Sequence, residues 1–200
     1  TGINPGYLMD TLPLVLTAPC LSVRSISVTR MMNAAARRLP FQKKVGVGLS
    51  AEAFREAIDS GKITGHVGLR ESMQMIAATL GWSPEEFVEE SPAPVIAREP
   101  TETGLGTVAP GDVVGLTSIV HAREGETERI RLMFHAYAGV EEEYDEVVID
   151  GEPSIRQRIA GGVHGDRGTV AVTVNTAARV VDVAPGLKTM AEIPLVTCAR

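Results

Sequence analysis

Glu128-Arg-Ile-Arg-Leu-Met-Phe-His-Ala-Tyr137 alternates strictly: Ile130, Leu132, Phe134 and Ala136 fall to one side, Arg129, Arg131 and His135 to the other. A period of two is that of a strand with one face on a core and one facing outward. Its neighbours extend the pattern. Val113 to His121 is apolar on both sides and reads as a central strand. Tyr144 to Ile149 predicts another, turning at Asp150-Gly151. Leu21 to Met32, rich in Ser, Val, Ile and Thr, predicts an earlier strand, and Val95 to Glu99 a short one. Ile155 to Ile159 is a short strand or a turn, and Thr101 to Gly111 a loop punctuated by Gly and Pro.

Helices are signalled between and after these runs. Asn4 is an N-cap with Pro5 at the first helical position, and Tyr7, Leu8, Leu12 and Val15 share a face. Pro13 kinks or shortens that helix, and Pro19 ends it. Ser50 caps a helix from Ala51 to Ser60, which Gly61 stops. Leu69, Met73, Ile76 and Leu80 step by four, three and four, the apolar stripe of a further helix. Ser83-Pro84-Glu85-Glu86 predicts a short helix. The last helix, Thr169 to Val183, has Val170, Val174, Ala177 and Val181 as its stripe. The expected class is α+β, with helices on one side of a largely antiparallel or mixed sheet.

The 200 residues are 44% apolar, 22% charged and 4% aromatic, with a net charge of −6, which fits a globular domain with a substantial core. Few aromatics and an acidic balance argue against a nucleic-acid surface. No apolar run approaches a membrane span, and no signal peptide is visible. Cys20 and Cys198 read as reduced thiols of a cytoplasmic protein, with a terminal disulfide as the alternative. His121, His135 and His164 are scattered and show no metal-ligand spacing, so no metal site is expected. The chain opens on Thr1-Gly-Ile-Asn-Pro-Gly6 without an initiator Met, and reads as the middle of a longer polypeptide.

The chemistry concentrates in Asn33-Ala-Ala-Ala-Arg-Arg-Leu-Pro-Phe-Gln-Lys-Lys-Val-Gly-Val-Gly-Leu-Ser50. Arg37, Arg38, Lys43 and Lys44 precede Gly46 and Gly48, whose backbone can approach a ligand closely. A helix N-terminus follows at Ser50 and favours an anion. The segment is either a receptor for a carboxylate or phosphate or a solvated basic loop. Lys43 and Lys44 are candidates to bind a carboxylate or, with a pKa lowered by neighbouring cations, to donate a proton. Arg37 and Arg38 serve the same anion or form interdomain salt bridges. His66 would titrate near neutrality. Glu71 would hold an ammonium, or is a surface residue. Glu141 to Glu143 reads as a solvated turn.

Three phrases carry a resemblance. They are Gly2-Ile-Asn-Pro-Gly-Tyr-Leu-Met-Asp10, then Arg37-Arg-Leu-Pro-Phe-Gln-Lys-Lys-Val-Gly-Val-Gly48, then Gly65-His-Val-Gly-Leu-Arg-Glu-Ser72 with Met75-Ile-Ala-Ala-Thr-Leu-Gly-Trp82. They resemble the 2,4-diaminopentanoate dehydrogenases, within the dihydrodipicolinate-reductase-like oxidoreductases. The likeness is strongest over residues 2 to 82 and weaker at Ala184-Pro-Gly-Leu187.

Such enzymes join an N-terminal Rossmann domain for NAD or NADP to a C-terminal domain for substrate and assembly. The resemblance implies that this chain is the C-terminal part, since no G-x-G-x-x-G follows a strand here. It implies an amino-acid-like substrate, a partner Rossmann domain and a homo-oligomer, dimer or tetramer. Residues 1–20 would be an interdomain helix, 21–91 the strand, basic loop and helices, and 92–200 the β-rich part with a final helix and tail. Asn33, Arg37, Arg38, Gln42, Gly46, Gly48, His66 and Glu71 would line the substrate, Lys43 and Lys44 would be catalytic, and Asn4 would approach the nicotinamide. The wider reductases carry histidines and a Ser-Gly-Thr anion loop where this chain has Asn33 to Lys44 and Val-Gly-Val-Gly, which favours the diaminopentanoate-like branch. The competing expectation is a stand-alone binding or assembly module without catalysis.

Overall fold

A computed structural model describes residues 1–198. The helices are α1 (Thr11–Leu16), α2 (Leu39–Lys44), α3 (Ala51–Asp59), α4 (Leu69–Leu80) and α5 (Gly165–Val180). The strands are β1 (Ser22–Asn33), β2 (Glu86–Glu89), β3 (Ala93–Ile96), β4 (Thr101–Thr103), β5 (Gly106–Val108), β6 (Val113–Glu124), β7 (Thr127–Tyr137), β8 (Tyr144–Glu152) and β9 (Ile155–Ala160).

Seven strands form one mixed sheet in the order β2-β6-β7-β1-β8-β9, with β3 joining β2 on the outer side of β6. Only the central pair β1 and β7 is parallel; β6–β7, β1–β8 and β8–β9 are antiparallel. The α+β expectation holds. The alternation in β7 is realised: Ile130, Leu132, Phe134 and Ala136 are buried, while Arg131 and His135 are half-exposed. Ile26, Val28 and Met32 of β1, and Leu116, Val120 and Ala122 of β6, bury the same face. Leu69, Met73 and Ile76 of α4 and Leu8 and Met9 cover it. The other face carries Thr29, Met31, Thr117, Met133, His135 and Val148, all half-exposed.

Several expectations are corrected. Asn4 caps no helix; residues 3–10 form turns, and Asp10 caps α1 by accepting the Thr11 N–H at 2.5 Å. Asp10 also accepts from the Gly6 N–H (2.7 Å) and the Ser72 hydroxyl (2.8 Å), tying this turn to α4. The helix expected at Ser83 is absent. Glu85 donates its N–H to the Arg123 carbonyl at 3.1 Å and β2 pairs with β6, so a sheet edge outcompetes a weak helix start. The segment 101–111 contains the hairpin β4–β5. β8 runs on through Asp150 and Gly151, where a Cβ on Gly151 would lie 2.4 Å from the Ser22 carbonyl oxygen.

The stripe assigned to the last helix is not the face that packs within this chain. Val170, Val174 and Val181 are 65%, 58% and 77% exposed, while Val172 and Thr176 are buried. The helix starts earlier, at Gly165, capped by His164, and Gly168 sets its contact with Ile3: a Cβ there would lie 2.9 Å from Ile3 Cδ1.

Gly115 is the tightest backbone position in the sheet. Its φ is +150°, and a Cβ would sit 2.0 Å from the Ala136 carbonyl oxygen and 2.5 Å from Tyr137 Cα. Gly115→Ala is therefore expected to destabilise the fold by about 3 kcal/mol or more, read as a lower midpoint in urea; a change below about 0.5 kcal/mol would contradict the register.

Candidate functional site

The register sets one transverse row across the covered face. Ser118 of β6 lies opposite Phe134 of β7, Phe134 opposite Arg30 of β1, and Arg30 opposite Asp145 of β8. Two opposite charges thus occupy positions that the pleat reserves for the core, and both are buried, at 2% and 4% exposure. Arg30 Nε lies 3.7 Å from Asp145 Oδ1, Nη2 donates to the Val163 carbonyl at 2.6 Å, and Nη1 is buried without a hydrogen-bond partner. Asp145 Oδ2 accepts the Val163 N–H at 2.8 Å, while Oδ1 has no hydrogen bond. Burial pushes the Arg30 guanidinium below its ordinary value against the pull of Asp145, and Arg37 adds to the repulsion. Burial likewise pushes the Asp145 carboxyl up, with Arg30 opposing. Both directions say that this pair, held at 3.7 Å, does not fully compensate its own desolvation.

His66 closes the row from above. Its ring stacks on Phe134, with centroids 4.1 Å apart and planes at 22°, and its backbone N–H donates to Ser118 Oγ at 3.1 Å. Asn4 Nδ2 lies 3.0 Å from His66 Nε2 and 2.9 Å from Met9 Sδ. An amide has two N–H groups, so both are used if His66 is neutral with Nε2 accepting. That leaves Asn4 Oδ1, buried and without a partner. The His66 pKa is pushed down to about 4, first by burial and then by the charges of Arg30 and Lys44. The structure thus holds a neutral imidazole stacked on Phe134, unpaired acceptors on Asn4 and Asp145, and an unpaired guanidinium nitrogen on Arg30.

The other sequence-nominated residues are placed differently. The basic stretch is not an open loop. Ala34–Ala36 form one 3₁₀ turn and α2 follows, with Lys43 and Lys44 exposed in its last turn. Gln42 is 1% exposed: its Nε2 donates to the Ala35 and Arg37 carbonyls and its Oε1 accepts the Gly104 N–H, so it braces the chain. The Gly46 N–H goes to the Lys43 carbonyl and the Gly48 N–H to that of Val113, at 3.1 and 2.8 Å. The free amides expected for an anion are therefore occupied. Gly46 is needed because a Cβ would meet the Phe54 ring at 2.5 Å.

Asn33 Oδ1 accepts the Ala35 N–H, and its own N–H goes to Glu143. Arg37 Nη2 lies 3.7 Å from Glu143, and its Nε is buried without a partner. Arg38 pairs with Asp166 at the surface. Glu71 is exposed on α4, and no contact among the described residues joins it to His66. The structure thus brings together Asn4 and His66, with Lys44 and Arg37 as nearby charges. The sequence reading missed Arg30 and Asp145, although a charge at a core-facing position of β1, between Val28 and Met32, was the signal for it.

The larger cavity, 710 Å³, opens on the other face of the sheet against Met31, Tyr137 and Tyr144, and no nominated residue lines it. A second, of 490 Å³, lies between α2 and α3 and includes Lys43. Among the described residues no cluster of His, Cys, Asp and Glu has metal-holding geometry, and no helix is long and apolar enough to cross a membrane.

Residues 7–200 match a family model described as the 2,4-diaminopentanoate dehydrogenase C-terminal domain. A 2,4-diaminopentanoate dehydrogenase from Acetoanaerobium sticklandii is 29% identical over 208 residues, which cover 98% of this chain and 56% of that protein. This chain therefore spans little more than half the length of that relative. The amine dehydrogenase from Mycobacterium smegmatis shares the fold with a TM-score of 0.78 at 21% identity, over 96% of this chain and 57% of that one.

His66 supplies a test of the arrangement. With its native pKa near 4 against about 6.5 unfolded, the unfolded chain binds more protons between these values. Stability therefore falls as pH drops from about 6.5 toward 4. His66→Gln is expected to flatten this part of the stability–pH curve in urea titrations; an unchanged slope would show that His66 is solvated.

Proposed function

We propose, for a chain that belongs to the 2,4-diaminopentanoate dehydrogenase C-terminal domain family, a role as the substrate-binding and assembly domain of an NAD(P)-dependent oxidoreductase acting on an amino-acid-type amine. The observation that carries this reading is the buried polar cluster around Phe134: unpaired Arg30 Nη1, unpaired Asn4 Oδ1 and neutral His66. Buried polar atoms of a folded protein are normally paired. Three unpaired atoms, Arg30 Nη1, Asp145 Oδ1 and Asn4 Oδ1, fit ligands that bring both donors and an acceptor.

The sheet order is not that of a parallel dinucleotide-binding fold, so NAD or NADP would be held chiefly by a partner Rossmann domain. Of the residues here, Asn4 fits the cofactor, because its free Oδ1 suits a carboxamide donor. Bound there, NAD or NADP would supply a hydride acceptor for the amine-bearing carbon. This chain's part is to orient the substrate, exclude water and supply charge complementarity. Lys44, whose charge reaches His66, would steer an anion into the cluster; Lys43 faces the 490 Å³ cavity instead.

Residues 1–20 and the exposed valines of α5 are assigned to the junction with the Rossmann domain. Ile3 packs beside Gly168 at the start of that helix, so the two lie together. The half-exposed sheet face is assigned to self-association.

The test is NAD(P)-linked turnover of 2,4-diaminopentanoate by the protein expressed from its complete gene. Amine-dependent formation of NADH or NADPH is expected. A gene product of this chain's 21.2 kDa without turnover would favour a binding module. In the same protein Val174→Asp is expected to cost about 1–2 kcal/mol by thermal melting, because the valine is covered there; a change within about 0.5 kcal/mol would leave it solvent-exposed.

A further inference from the structure

We infer that the 710 Å³ cavity is a binding site for an aliphatic diamine, with its ammonium groups on Glu99 and Glu141 and its methylene chain against Met31 and the Tyr137 ring. This goes beyond the oxidoreductase reading and does not depend on it. The cavity opens on the sheet face away from the row around Phe134: Met31 lines it, while Arg30, the preceding residue of β1, is buried on the other side. Its walls come from the end of β1, from β3 and the residues after it, and from the turn between β7 and β8.

Three observations set the chemistry. The floor is apolar, with Ala97, Val114 and Ala138 buried and Met31 and Val95 half-buried. The rim is negative: Glu99, Glu141 and Glu142 face one cation, Arg98, among the described residues. One wall already holds a cation. The Arg158 guanidinium lies 3.8 Å from the Tyr144 ring centroid, and its Nη2 donates to Glu142 Oε2 at 2.7 Å. A tyrosine face beside a carboxylate is a combination that receives organic cations. Tyr137 and Glu141 repeat those residue types in the same cavity. Among the described residues no cation lies over the Tyr137 ring, and no ion pair engages Glu99 or Glu141. The acidic run thus divides its work: Glu143 accepts the Asn33 N–H, Glu142 holds Arg158, and Glu141 is left for a ligand.

Other ligand classes fit less well. An anion would meet three carboxylates. A bare metal ion gains nothing from an apolar floor, and no cluster of His, Cys, Asp and Glu among the described residues has metal-holding geometry. A monoamine would satisfy one carboxylate, whereas Glu99 and Glu141 stand on separate walls, the segment after β3 and the β7–β8 turn, so a diamine uses both. The volume lies in the usual range for small-ligand sites, about 300–1,000 Å³.

The test is calorimetric titration of the complete protein with butane-1,4-diamine. Binding is expected, weakened about 10-fold or more by Tyr137→Leu and by Glu141→Gln, with turnover of 2,4-diaminopentanoate unchanged in both variants. Glu141 is exposed on a turn, so its variant keeps the fold, which thermal melting checks. Butane-1,4-diol, of the same length without the charges, should give no heat, and Ca²⁺ should not displace the diamine.

Diamine binding that survives both variants places the ligand elsewhere and overturns the inference. So does a parallel loss of turnover, which would put the diamine in the catalytic site, and so does displacement by Ca²⁺. Absence of binding to wild type, the result expected if a second copy fills the cavity, overturns it as well. Should wild type fail to turn over 2,4-diaminopentanoate, the oxidoreductase reading falls and the calorimetry alone decides the cavity.

Discussion

Taking a guanidinium and a carboxylate out of water side by side in a sheet is costly unless their remaining donors and acceptors are met. Arg30 and Asp145 are in that position, and the architecture around them follows from it. The central parallel pair β1–β7 and the antiparallel β1–β8 pair place Phe134, Arg30 and Asp145 in one row. The Gly161–Gly165 loop is drawn down onto that row by both backbone atoms of Val163. The loop in turn starts α5 at Gly165, which packs its first turn on Ile3. The N-terminal turn and the start of α5 thus come together beside one charged position of the sheet.

Other buried polar groups behave differently, and the contrast defines the site. Asp10 accepts three hydrogen bonds and Gln42 uses both ends of its amide, so each is a closed structural joint. Arg30, Asp145, Arg37 and Asn4 each keep one buried atom without a hydrogen bond, as do His121, Gln157 and Thr176 elsewhere. Two of these atoms lie around the neutral His66, linked to it by a hydrogen bond from Asn4 and by the field of Arg30. What sets this place apart is that a guanidinium, a carboxylate and an amide with open atoms gather beside one neutral imidazole.

The strands were legible because alternation is a local property: β7 was read residue by residue, and the Ser50 cap and the α4 stripe were equally plain. What failed depended on partners elsewhere. The valine stripe of α5 has helical spacing, but spacing does not say which side is covered, and here Val172 and Thr176 face inward. The Ser83 segment had a helix start and lost it to pairing with β6. The basic stretch advertised charge, yet its amides are consumed by neighbouring carbonyls and its lysines are exposed at the end of α2. Asn4 and His66 were nominated separately and are 3.0 Å apart, a proximity that 62 residues of intervening chain conceal. Arg30 looked like an ordinary strand residue until its register put it among core side chains.

A crystal structure of the complete protein with 2,4-diaminopentanoate bound tests the central claim most directly. The account predicts the ligand in the row around Phe134, against Arg30 and His66. A ligand held by Lys43 or Lys44 instead, away from that row, would contradict it.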